Sequence, residues 1–109
     1  MATDAIPPGT LHLLILKTLE VGKEMHGFEI AEAIERVSGE VLTVEEGSLY
    51  PALHRMEEAG WISATWTITG NKRRARVYEI TTQGRDQLEV DEQRWVAVNS
   101  AVLRALKNA

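Results

Sequence analysis

Lys72, Arg73, Arg74 and Arg76 put four of the chain's 12 basic residues within five positions. Cations this close cannot satisfy one another. They offer attraction to an anion, and a phosphate backbone accepts such charges regardless of base sequence. The remainder of the chain is acidic. Without these four, 8 basic residues face 16 acidic ones, and all 109 residues together carry a formal net charge of −4. A uniformly basic coat is excluded, but phosphate contact requires only local charge. A second group, Ser48, Tyr50, Pro51, His54 and Arg55, carries side chains suited to reading or bracing against a duplex. Arg55 can donate two hydrogen bonds to guanine or pair with phosphate, and His54 can do either more weakly.

Catalytic chemistry has little to work with. There is no cysteine, hence no disulfide framework, thiolate metal site or thiol nucleophile. His12, His26 and His54 lie on three separate segments without the i, i+4 spacing of a zinc-binding helix. Gly22 and Gly27 have the gap of a phosphate loop, yet Phe28-Glu29 stands where Lys and Ser/Thr are needed. Ser38, Ser48, Ser63 and Ser100 show no strained elbow. A protein without enzymatic activity, metal or cofactor is expected.

The elements that must carry the two groups follow from periodicity. Met1 to Gly9 reads as an irregular arm. Thr10 is placed to cap a first helix to about Val21, with Gly22 ending it. Leu11, Leu13, Leu14, Ile15, Leu16 and Leu19 are too many for one stripe, so this helix needs cover on more than one side. Lys23 to His26 is a short connector. A second helix follows Gly27 and ends at Ser38-Gly39, with Phe28, Ala31, Ile34 and Val37 recurring along it. Thr43-Val44-Glu45-Glu46 fits a capping box opening a third helix. Leu49, Ala52, Leu53 and Met56 then share one face, leaving Gly47, Pro51, His54 and Glu58 opposite. Pro51 clashes with the carbonyl four residues back, so a bend or late start is expected, and Gly60 closes the helix.

The period then becomes two. Ile62, Ala64, Trp66 and Ile68 alternate with small polar residues, Gly70-Asn71 marks a turn, and Arg76 to Ile80 forms a second strand: a β-hairpin with the cations at its tip. Thr82 can cap a last helix from about Gln83 to Lys107. At about 25 residues it is roughly 37 Å long, too long to be covered by the rest of the chain. Leu88, Trp95, Val98, Val102 and Ala105 fall near a heptad seam, with Val96, Leu103 and Leu106 beside it and Asp91 interrupting it.

Three helices and a hairpin predict a mainly α fold with a small β-hairpin (α+β), a winged helix-turn-helix in which the third helix enters the major groove and the hairpin follows the backbone. Residues 1–81 form this unit with its arm, and 82–109 a dimerisation helix, in one compact body. A homodimer joined through Leu88, Trp95, Val98, Val102 and Leu106, with Leu11 and Leu14 of the first helix, would place two recognition helices about 34 Å apart, one DNA turn, on a near-palindromic site. Trp95 either fills that interface or, with Asn99, lines a slot for a planar aromatic ligand. Arg74 and Arg76 need not both reach DNA. The acidic surface also fits a winged-helix module that recruits a protein and never grips DNA. The longest aliphatic run in the first helix, Leu13 to Leu16, is far short of a bilayer span and no signal-peptide pattern precedes it, so a soluble cytoplasmic protein is expected.

Two stretches resemble the PadR family of transcriptional regulators. Met25 to Ile30 is similar to its "HGYEI" opening of the second helix, and Glu46 to Glu57 to its "GSLYPALHRLE" signature. Gly60-Trp61-Ile62, Arg73-Arg74, Tyr78 and the T-x-x-G of Thr81 to Gly84 keep the family's order, so the resemblance runs from Gly9 to Leu106. It implies a homodimeric winged-helix repressor, paired through its last helix and often released from DNA by a small aromatic or multidrug-like effector. The single closing helix resembles the short-tailed branch. Phe28 stands for the usual Tyr, Met56 for Leu, and Glu45-Glu46 for a Ser-Pro-type opening. Those two carboxylates favour the helix dipole but repel phosphate.

Overall fold

The computed structural model describes residues 4–7 and 9–108. Met1 to Thr3 and Pro8 of the expected arm, and Ala109 at the chain's end, lie outside the described residues. In chain order the elements are β1 (Asp4–Ala5), α1 (Leu11–Gly22), β2 (Met25–His26), α2 (Gly27–Val37), β3 (Leu42–Thr43), α3 (Glu46–Glu58), β4 (Ile62–Ile68), β5 (Arg74–Ile80) and α4 (Thr82–Asn108). The expected α+β architecture is present: four helices and a small antiparallel sheet, ordered β2-β5-β4.

The apolar faces converge as their spacing requires. Ile15, Leu16 and Leu19 of α1 meet Ile30 and Ile34 of α2, Leu49, Leu53 and Met56 of α3, the hairpin base at Ile62 and Ile80, and Leu88 of α4. Leu11, Leu13 and Leu14 pack on this core but stay partly exposed. Leu88, expected in a seam between two copies, is 2% exposed within the single chain and belongs to its own core. The reason is that the first turns of α4 lie across α1. His12 Nε2 meets Asp91 Oδ2 at 3.1 Å and Lys17 meets Glu92 at 3.0 Å, where hydrogen bonding to Glu92 raises the lysine's pKa. Asp91, which interrupts the apolar seam, is thus the anchor of α4 on α1, and it also accepts from Gln87.

Several local expectations change. Thr10 precedes α1, but its hydroxyl donates back to the Pro7 carbonyl (2.7 Å) and makes no cap. Gly22 is the last helical residue; Lys23 takes the left-handed turn (φ 65°) and Gly22 leaves room for Met25 instead. The connector is a strand: Met25 and His26 pair with Tyr78 and Val77. Part of the arm is ordered against the body, Asp4 and Ala5 running parallel to Leu42 and Thr43. Thr43 therefore serves a strand, and α3 opens at Glu46 with Glu45 as its cap residue. The helix runs through Pro51 without interruption; the ring forfeits the one bond to the Gly47 carbonyl, and Gly47 brings no side chain to the crowding. On α2 the inward stripe is Ile30, Ala33 and Ile34, whereas Phe28 is 59% exposed and Val37 more so. The second hairpin strand starts at Arg74 rather than Arg76.

One junction joins three elements. At the end of α3, Gly60 (φ 82°) donates to the Glu57 carbonyl and Trp61 to that of Met56, a paired closure in which the residue after the helix needs a left-handed backbone. Thr81, not Thr82, caps α4: its Oγ1 accepts from Gly84 N (3.0 Å) and donates to Gly60 O (2.7 Å), and its N–H donates to Trp61 O. A Cβ on Gly84 would stand 2.0 Å from the Trp61 carbonyl oxygen. Gly84→Ala should therefore destabilise the protein by about 1–3 kcal/mol in urea unfolding, despite alanine's better helix propensity; a more stable variant would show that the two segments do not approach closely.

Candidate nucleic-acid interface

The core face of α3 turns its other side outward. Around this surface the helix has two shoulders. Tyr50 and His54 face the hairpin; Ser48 and Arg55 face the arm and the start of α1, where Arg55 borders a cleft with Leu11, His12 and Trp61. The five expected helix residues are thus split between two sides of one exposed ridge, with Pro51 between them. His54 Nε2 lies 2.9 Å from Glu58 Oε1, both well exposed, so water and salt weaken the pair.

The hairpin passes from core to solvent along one face. Its cross-strand pairs are Ile62 with Ile80, Ala64 with Tyr78, Trp66 with Arg76 and Ile68 with Arg74. The first pair is buried, and Trp66 is 56% exposed. The alternation expected for β4 is therefore correct in direction, but its outer half leaves the core and walls a groove instead. The tip is a short turn in which Thr69 and Arg73 close on each other and Lys72 adopts a left-handed backbone (φ 59°). Lys72, Arg73 and Arg74 are exposed there. The Arg74 guanidinium sits 4.6 Å from the Trp66 ring centre, a cation–π contact that limits its freedom.

Arg76 is placed differently. Its Nη2 donates to both carboxylate oxygens of Glu57 on α3, one at 2.9 Å. Between hairpin and α3 lies a groove of about 380 Å³, to which α2 and the residue before it contribute Gly27, Phe28 and His26. His26 and Phe28 stack with ring centres 5.7 Å apart. Tyr78 at the groove's inner end is buried, and burial raises its phenol pKa while Arg76 opposes the rise. Tyr50 both packs against the second helix and remains partly open: a Cβ on Gly27 would lie 2.8 Å from its ring. His26, Phe28 and Trp66 are groove residues, and Glu57 the partner of Arg76 there, that sequence spacing does not mark as such. Glu57 sits inside the family signature and Trp66 on the alternating strand, but the distances that bring them together are long-range.

Among the described residues no three His, Asp or Glu converge on a metal site, and no helix is long and apolar enough to cross a membrane.

Two helices packed on one core, the second with an open face, followed by a hairpin that shares a groove with it and carries exposed cations at its tip, define a winged helix-turn-helix. Residues 15–90 match the transcriptional regulator PadR-like family, and the chain belongs to that family. It is similar to the negative transcriptional regulator PadR of Bacillus subtilis (strain 168), 28% identical over 78 residues that span 72% of this chain but only 42% of that relative. A PadR-like transcriptional regulator from Bacillus cereus strain ATCC 14579 superposes with a TM-score of 0.75 at 30% identity, covering 93% of this chain and 95% of the other. Bacillus subtilis PadR in complex with operator DNA superposes with a TM-score of 0.67 at 26% identity, covering 76% of this chain and 46% of that one. The family is one of transcriptional regulators, not enzymes.

Gly27→Ala should leave the fold intact, at a cost of about 1 kcal/mol or less, and push the Tyr50 ring into the groove. The check is the NMR shifts of the Tyr50 and Phe28 rings, which should both move; unchanged shifts would mean that Tyr50 does not lie on Gly27.

Proposed function

We propose that the protein is a homodimeric, sequence-specific DNA-binding repressor. The observation that carries this reading is the groove: Tyr50 and His54 of the exposed helical ridge and Arg74, next to the cationic turn, border the same concavity. The ridge (Ser48, Tyr50, Pro51, His54, Arg55) would enter the major groove while Lys72, Arg73 and Arg74 hold phosphates alongside. The repressor sign rests on the Bacillus subtilis relative, which is a negative regulator. Alanine at Lys72, Arg73 and Arg74 together should weaken duplex binding and flatten its dependence on log salt by about 0.9 for each phosphate no longer held. Anisotropy titrations with a labelled duplex from the promoter upstream of its own gene, at several salt concentrations, read both. An unchanged slope overturns the wing assignment. Wild-type protein that shows no preference among duplexes and never saturates favours the alternative, a module that recruits a protein.

Residues 1–81 would then be the DNA-binding unit and 82–109 the dimerisation helix. Beyond its packing on α1, α4 exposes Trp95, Val96, Val98, Val102, Leu103 and Leu106, an apolar surface suited to a second copy together with partly exposed Leu11 and Leu14. Leu88 has no part in that surface. Symmetry would set two ridges about 34 Å apart against a near-palindromic operator.

Trp95, 44% exposed, with Asn99 one turn on, would wall a slot for a planar aromatic effector that releases DNA. Such compounds should quench tryptophan fluorescence, and Trp95→Ala should abolish the response. If no planar aromatic compound quenches it, Trp95 serves packing alone.

A further inference from the structure

Arg76 closes the cationic run, yet its surroundings set it apart. Its guanidinium is half-buried, paired with both oxygens of Glu57 on α3, and flanked by the rings of Trp66 (5.5 Å) and Tyr78 (5.8 Å). Its own carbonyl accepts a hydrogen bond from His26 Nδ1 (3.2 Å), the residue that opens α2. One residue of β5 therefore holds both helices of the helix-turn-helix. A guanidinium engaged by a carboxylate in this way forms a neutral pair and has little charge left for a phosphate. Nη2 alone spans both carboxylate oxygens while Nε is buried without a partner, and the planar group is flanked by the two rings, a setting that fixes an angle as a point charge does not.

We infer that the Arg76–Glu57 pair is a strut that sets the wing against the recognition helix, making Arg76 a positioning residue and not a phosphate contact. This deepens the DNA-binding reading and rests on it. At about 3.4 Å per strand residue the tip lies roughly 10 Å beyond the strut, so a small rotation at Arg76 becomes a large displacement of Lys72, Arg73 and Arg74. Without the strut the fit between ridge and wing would blur, and specific binding would suffer more than general attraction to phosphate.

The two roles predict opposite signs for Glu57→Gln. The probes are a duplex that the wild-type protein selects from a random-sequence pool and a scrambled duplex of equal length. A strut predicts that affinity for the selected duplex, and the selected-to-scrambled ratio with it, fall about tenfold. An Arg76 that contacts phosphate predicts tighter binding to both duplexes, because a nearby carboxylate has been neutralised; that result overturns the inference. Arg76→Lys keeps the charge but loses the planar group held between the Trp66 and Tyr78 rings. It should lower the ratio as Glu57→Gln does, and a wild-type ratio in this variant also overturns the strut. The exchanged pair Glu57→Arg with Arg76→Glu should recover part of the lost ratio, with thermal melts confirming that each variant is folded. If the wild-type protein selects no duplex, the DNA-binding reading fails first and the strut with it.

Discussion

Everything that faces outward depends on the contact between Thr81-Gly84 and Gly60-Trp61. Here the end of the recognition helix, the foot of the hairpin and the start of the long helix share one set of hydrogen bonds, and the absence of a single Cβ allows α4 to lie on the Trp61 carbonyl. The Thr81 hydroxyl works in both directions, accepting from the helix it caps and donating to the loop that closes α3. A side chain at Gly84, or loss of the hydroxyl, would strain the relation between the ridge and α4. The residues are ordinary, but their placement fixes the direction in which α4 leaves the body.

Charge is arranged on the same scale. The chain is acidic overall, and mobile ions screen charges beyond about 8 Å at physiological salt, so distant carboxylates do little to cancel the hairpin tip. Nearby ones matter. Glu57 is spent on Arg76, and Glu58 lies beside His54. Glu45 and Glu46 sit at the opening of α3, where they suit its dipole and discourage a phosphate. Phosphate is thereby disfavoured at the opening of α3 and attracted to the exposed hairpin tip.

Much of this was legible from residue order. The inward face of α3 is periodic and continuous, the change from helical to alternating spacing after Gly60 is abrupt, and the cations stand next to a turn signal. What could not be read has a common cause in contacts between distant segments. Two residues, Met25 and His26, carry no alternation, so only their partner β5 makes them a strand. Thr43 reads as a cap, but pairing with the N-terminal arm claims it for a sheet. Phe28 has core chemistry and helical spacing, yet the groove holds it outside. Leu88 fits a seam between copies just as well as a core position, and only the anchoring of Asp91 on His12 decides between them. Arg76 looks like its neighbours until Glu57 of α3 is seen against it.

In the proposed assembly two copies hold one duplex from one side. Hydroxyl-radical footprinting of the wild-type protein on its selected duplex tests it most directly. Two protected patches on the same face, centred about one helical turn apart, are predicted. A single patch, or uniform protection along the duplex, would contradict it.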